Sequence, residues 1–143
     1  VAVEFKHGAA HRLVSSDDVA DGEMILDAGA ESVAAAMAFL DRCSTIVWNG
    51  PMGAFEIPPF DAATTALARA VAAKTQNDGV MSVAGGGDTM AALANAGVHD
   101  QFSYVSTAGG AFLEWLEGKR LPGVEALRID QPLRPKNVWL QNG

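Results

Sequence analysis

Three times along this chain a short apolar run is followed by a glycine-bearing loop and then by a stretch of helical length, and this alternation narrows the fold most. The runs are Thr45-Ile46-Val47-Trp48, Val80-Met81-Ser82-Val83 and Phe102-Ser103-Tyr104-Val105. Their loops are Asn49 to Glu56, Gly85-Gly86-Gly87-Asp88-Thr89 and Ser106-Thr107-Ala108-Gly109-Gly110. Strand and helix in alternation imply a parallel sheet joined by right-handed crossovers. The expected fold class is α/β: a three-layer, Rossmann-like parallel sheet with helices on both faces. Loops that follow parallel strands share the carboxyl edge of the sheet, where ligands bind. The three glycine loops should therefore converge.

Local pattern places the other elements. Val33, Met37 and Leu40 recur at helical spacing within Glu31 to Arg42, and Ala63, Leu67 and Val71 do so from Asp61 to Lys74, with Asp61 as N-cap. A third helix is expected from Asp88 or Thr89, one of which would cap it, to Gly97, and a fourth from Ala111 to Glu117, stopped by Gly118. Thr45 to Trp48 is apolar without alternation, which predicts a strand covered on both faces. Upstream, Val1 to Phe5 reads as the end of a strand, Met24-Ile25-Leu26 as a brief one, and Asp27-Ala28-Gly29 as its turn. His7 and His11 are read as parts of a polar loop: Gly8 weakens any shared helix face, and no third ligand is spaced to join them around a metal. Arg128 to Gly143, with two prolines and no periodicity, is expected to be an irregular tail of unassigned role.

Composition excludes several functions. With 10 lysines and arginines against 17 acids the net charge is −7, and no basic cluster could displace the counterions of a phosphate backbone, so a nucleic-acid partner is not expected. Cys43 is the only cysteine, which leaves neither a disulfide framework nor a thiolate zinc site and suggests a reducing, cytoplasmic setting. No apolar run has the length of a bilayer span, so no membrane partner is expected either. Val1, already inside an apolar run, suggests a piece of a longer protein.

A small anionic ligand fits better. Glycines let backbone amides come close to a ligand, and the unpaired N–H groups of a helix start, with the positive end of its dipole, attract phosphate. The dinucleotide fingerprint fails, because counting GxGxxG from Gly85 puts Met90 at the third glycine. The P-loop pattern GxxxxGK[ST] is absent, and no lysine lies in a glycine loop. A nucleotide held here would depend on amides, a helix dipole and a metal bridged through a carboxylate, and Asp88 is the only acid in the second loop. Glu56, on the long first loop, could accept both ribose hydroxyls, or be one more solvated surface charge.

Three longer motifs carry a family resemblance. WNGPMGAFE at Trp48 to Glu56, GGGDT at Gly85 to Thr89, and STAGGAFLEWLEGKRLPGVEAL at Ser106 to Leu127 resemble, in order, the last part of phosphoglycerate kinase. The resemblance covers approximately residues 1–127 and implies the second half of a nucleotide-binding carboxyl-terminal domain, a partial domain. The family moves a phosphoryl group reversibly between 1,3-bisphosphoglycerate and ADP in glycolysis. It uses Mg2+ with ATP or ADP, and phosphoglycerate lies on a separate amino-terminal domain that this chain lacks.

By matching positions, the resemblance implies that Asn49 and Pro51 lie beside the adenosine and that Glu56 holds the ribose. Gly86, Gly87, Asp88 and Thr89 would bind the phosphates, with Asp88 engaging the metal, and the amides of Gly109 and Gly110 would face the phosphoryl group in transit. The full-length enzyme would be a monomer, and this chain alone would be inactive, because the family's catalytic arginine and nucleotide lysines precede Val1. Ala108 departs from the family's three successive glycines, and a positive φ there would be costly. The runner-up reading is a stand-alone nucleotide-binding or regulatory module without catalysis.

Overall fold

A computed structural model describes residues 1–127, so the expectation for the tail from Arg128 lies outside the described residues. The chain divides into two compact units, Val1–Gly110 and the part from Ala111 onward. In the first, α1 (Ala30–Leu40), β1 (Thr45–Asn49), α2 (Ala62–Asp78), β2 (Met81–Gly85), α3 (Gly87–Asn95) and β3 (Tyr104–Ser106) follow one another. The strands form one parallel sheet in the order β1-β2-β3. This is the parallel α/β class that the alternation predicts.

The larger of two core clusters lies on one face of that sheet, and a smaller one gathers Ala2, Ala9, Leu26 and Phe60. Ile46, Trp48 and Ala84 cluster with Leu67, Val71 and Leu93 from α2 and α3, and Trp48 meets Phe102 edge to face at 6.3 Å between ring centres. Val33, Met37 and Leu40 of α1 pack against the same cluster, so its helical spacing serves burial as expected. The opposite face differs from the expectation for the first strand. Val47 is 45% exposed, Met81 57% and Tyr104 61%, so β1 is covered on one side only. An uninterrupted apolar strand fits two-sided burial, but the described residues supply helices to one side of it.

Boundaries shift for identifiable reasons. The second helix runs on to Asp78 because Gly79, at φ 69°, takes the left-handed C-cap conformation and its N–H bonds to the Lys74 carbonyl. Pairing of β3 starts at Tyr104 rather than Phe102. Before it, Ser82 N–H donates to the Ser103 hydroxyl at 3.1 Å and Ser103 N–H to the Ser82 hydroxyl at 3.0 Å, so side chains replace the ladder there. Val1 to Phe5 and Met24 to Leu26 are not strands. They touch through one isolated antiparallel bridge, Ala2 to Met24, and Ala2 makes a second to His11, while Val3 and Phe5 are exposed. His11 stacks edge-on against Phe60 with Nδ1 beside the Ala9 carbonyl, and His7 is exposed.

The start of α2 is capped from a distance. Asp61 occupies the N-cap position in a helical conformation and makes no capping hydrogen bond. Asp27 takes that role instead: one carboxylate oxygen accepts from Ala28 N–H at 2.9 Å, the other from Ala63 N–H at 3.0 Å. Burial pushes the Asp27 carboxyl up from the ordinary carboxylate range, against the opposing pull of those amides. Replacing Asp27 by alanine should therefore cost about 1 kcal/mol of stability, as for a lost cap. Asp61→Ala should stay within about 0.5 kcal/mol. Denaturant unfolding of both variants checks this pair of expectations.

From Ala111 onward the described residues continue α4 (Gly109–Leu116), which begins in the first unit, and add the single turn α5 (Pro122–Glu125) with proline in its first positions. The segment from Leu121 is thus partly helical. None of the helices among the described residues is long and apolar enough to cross a membrane.

Candidate functional site

The three strands end level with one another. Asn49 at the end of β1 is the register partner of Gly85 at the end of β2, and Gly85 is the partner of Ser106 at the end of β3. The three loops therefore leave the sheet side by side. Two contacts fasten them. Gly50 N–H donates to the Thr89 hydroxyl at 2.8 Å, joining the first loop to the second, and Gly86 N–H donates to the Ser106 carbonyl at 3.0 Å, joining the second to the third.

Glycine is required at the second junction. Gly86 has φ 102° and ψ 149°, a conformation closed to L side chains, and it serves as the N-cap of α3. Gly109 packs directly on it: a Cβ at Gly109 would lie 2.6 Å from Gly86 Cα and 2.7 Å from its nitrogen. The starts of α3 and α4 thus meet backbone to backbone. The first amides of a helix have no carbonyl within the helix to pair with, which leaves those of Gly87, Asp88 and Thr89, and of Gly109 and Gly110, to bind from outside. Two positive dipole ends sit together without an intervening side chain.

Each residue singled out from sequence has a definite place. Asn49 is exposed at the end of β1, Pro51 is half-buried in the turn that follows, and Glu56 is exposed farther along the same loop. The loop contacts do not reach Glu56. Gly87 and Asp88 are exposed at the start of α3, and Gly110 is exposed beside buried Gly109. Asp88 is not a cap and neither is Thr89, because Gly86, two residues before Asp88, takes the cap position. The Asp88 carboxylate is therefore exposed at a positive helix end. Thr89 is 1% exposed and its hydroxyl accepts from Gly50 N–H, so its side chain is taken up in joining the two loops. The Gly86 amide is likewise engaged, which gives that residue a shaping role. Ala108 does not have a positive φ, so its methyl imposes no backbone strain.

Sequence reasoning missed two residues behind the first loop. Thr64 in α2 accepts from Met52 N–H at 2.9 Å and is 1% exposed. Asp27 lies under Gly53, where an added Cβ would come within 2.7 Å of the Leu26 and Phe60 carbonyls and nearer still to the Asp27 carboxylate. A buried threonine on an apolar helix face was the only available signal for the first. Asp27 gave none, since its partner Ala63 lies 36 positions away.

Fold and edge together define a class: a parallel α/β protein whose strand-end loops bring two helix starts to one place. The family profile described as phosphoglycerate kinase matches residues 1–119, and the chain belongs to the phosphoglycerate kinase family, a family of phosphotransferases. The phosphoglycerate kinase of Xanthobacter autotrophicus is 67% identical over 128 residues, which are 90% of this chain and 32% of that protein. That of Xanthobacter flavus is 66% identical over 128 residues, with the same shares covered. Among solved structures, phosphoglycerate kinase from Coxiella burnetii matches with a TM-score of 0.79 at 48% identity, covering 88% of this chain and 32% of that one. The enzyme from Pyrococcus horikoshii matches with a TM-score of 0.63 at 34% identity, covering 73% of this chain and 24% of that one. The chain thus spans 32% of the length of the Xanthobacter relatives.

Proposed function

We propose that this chain carries part of the Mg-nucleotide site of a phosphoglycerate kinase, in the second half of its nucleotide-binding domain, and that the whole enzyme transfers a phosphoryl group reversibly between 1,3-bisphosphoglycerate and ADP. The observation that carries this reading is the contact of Gly109 on Gly86, which sets two helix starts side by side at the carboxyl edge of the sheet. Amides of Gly87, Asp88 and Thr89 would hold nucleotide phosphates, with Gly86 shaping the turn. The Asp88 carboxylate is a hard oxygen ligand of the kind Mg2+ takes in bridging phosphates. Asn49 and Pro51 would border the adenosine, and Glu56 would accept the ribose hydroxyls. Gly109 and Gly110 would present amides to the phosphoryl group in transit, where preorganised donors stabilise developing charge. On this reading the enzyme works in the cytoplasm as a monomer, with phosphoglycerate bound on the domain outside this chain.

None of the three loops contains lysine or arginine. Cationic stabilisation of the phosphoryl group must then come from residues elsewhere, and removal of even one such stabiliser costs on the order of 10²–10³ in rate. A coupled assay should accordingly detect phosphoglycerate-dependent turnover of Mg·ATP by the full-length enzyme and none by the 143-residue chain. Turnover by the chain alone would overturn the division of the active site, and its absence from the full-length enzyme would overturn the assignment.

A further inference from the structure

We infer that Thr64 is a positioning residue for the nucleotide: without touching the ligand, its buried hydroxyl fixes the Pro51–Met52 peptide of the first loop. This rests on the reading above of that loop as the adenosine border. Pro51 has no N–H, so the amides flanking it, those of Gly50 and Met52, are the ones by which the turn can be anchored. Each is held by a threonine hydroxyl that is 1% exposed. Gly50 donates to Thr89 of α3 at 2.8 Å and Met52 to Thr64 of α2 at 2.9 Å. The Trp48 indole N–H adds a third tie, to the Gly50 carbonyl at 2.7 Å.

The turn is therefore strung between two helices. Thr89 belongs to the helix start that would bind phosphate, so its substitution would disturb two parts of the site at once. Thr64 lies outside that helix start, and its hydroxyl acts on the first loop alone. Met52 is 51% exposed and its bond to Thr64 is only part-buried, so a peptide that loses the Thr64 hydroxyl has water within reach and should rotate toward it, carrying the Pro51 ring along. The base would lose a prearranged wall, while the chemistry at the two helix starts would be left intact. The expected signature is a change in nucleotide affinity with little change in turnover.

The test compares Thr64→Val, which keeps the shape and removes the acceptor, with Thr64→Ser, which keeps the acceptor, both in the full-length enzyme. The Val variant should raise KM for Mg·ADP about tenfold, with kcat and the KM for 1,3-bisphosphoglycerate within about twofold of the unaltered enzyme. The Ser variant should restore the nucleotide KM to within about twofold. An unchanged nucleotide KM in the Val variant, or equal loss in both variants, overturns the role. Should the Val variant fail to fold, hydrogen exchange in the unaltered, nucleotide-free enzyme decides: Met52 N–H should be as protected as Gly50 N–H, and rapid exchange at Met52 overturns the proposal. Glu56→Gln separates the two layers of inference. If it too leaves the nucleotide KM unchanged, the loop is not the nucleotide border; if it raises KM while Thr64→Val does not, only the role of Thr64 falls.

Discussion

Replacing Gly109 by alanine is expected to lower kcat/KM of the full-length enzyme by on the order of 10² and to destabilise it by about 1–3 kcal/mol. The added methyl would lie 2.6 Å from Gly86 Cα and 2.7 Å from Gly86 N, both of them main-chain atoms that cannot swing aside as a side chain would. Relief requires that the second and third loops separate. Separation would also stretch the 3.0 Å hydrogen bond from Gly86 N–H to the Ser106 carbonyl, and it would move the first amides of α4 away from those of α3. Displacements of this size are enough to spoil a positioned reaction, because most of the catalysis in phosphoryl transfer comes from placement and charge stabilisation. Gly123→Ala is the matched control: apart from its chain neighbours and its own helix backbone nothing lies within 4 Å of the added Cβ, and it should leave activity unchanged and stability equal or higher by up to about 1 kcal/mol. Melting curves and steady-state kinetics on the two variants check the expectation. Wild-type kinetics in Gly109→Ala would mean that the juxtaposition of the two helix starts has no part in catalysis.

Much of this arrangement was legible in the sequence because it is local. The alternation of apolar run, glycine loop and helix specified the parallel sheet, and the position of Gly85 to Thr89 between a strand and a helix located the second loop. What could not be read depends on partners distant along the chain. Asp61 looks like the cap of α2, yet Asp27 supplies the hydrogen bond, from 36 positions upstream of Ala63. Thr64 looks like one more residue on a helix, yet it holds Met52, 12 positions earlier. The largely apolar stretch Val1 to Phe5 suggested a strand, but only Ala2 in it finds bridging partners, since a strand needs a neighbour as well as a pattern. The capping role given to Asp88 or Thr89 failed for a backbone reason: Gly86, at φ 102°, ends the extended segment and starts the helix before either residue is reached.

Asp88→Asn should have the second large effect, on chemistry and not on folding. A side chain that caps nothing gives up no cap when its charge is removed, and the remaining loss is its attraction to the positive end of α3, about 0.3–1 kcal/mol for an exposed site. Folding should therefore be nearly unaffected. The chemistry should not be. Asp88 would hold magnesium through a charged oxygen, which that ion prefers, and the Asn amide would be a weaker ligand. Turnover should fall by on the order of 10² at ordinary magnesium concentrations, comparable to the loss of one stabilising group at the transferring phosphoryl, and should recover in part as magnesium is raised.

The claim that this sheet edge is a Mg-nucleotide site is tested most directly by the magnesium dependence of turnover for Asp88→Asn beside the unaltered full-length enzyme, with the thermal unfolding of both recorded. The account predicts a requirement for magnesium shifted to higher concentration, a depressed maximal rate and nearly coincident melting curves. Superimposable magnesium profiles with equal maximal rates would contradict it.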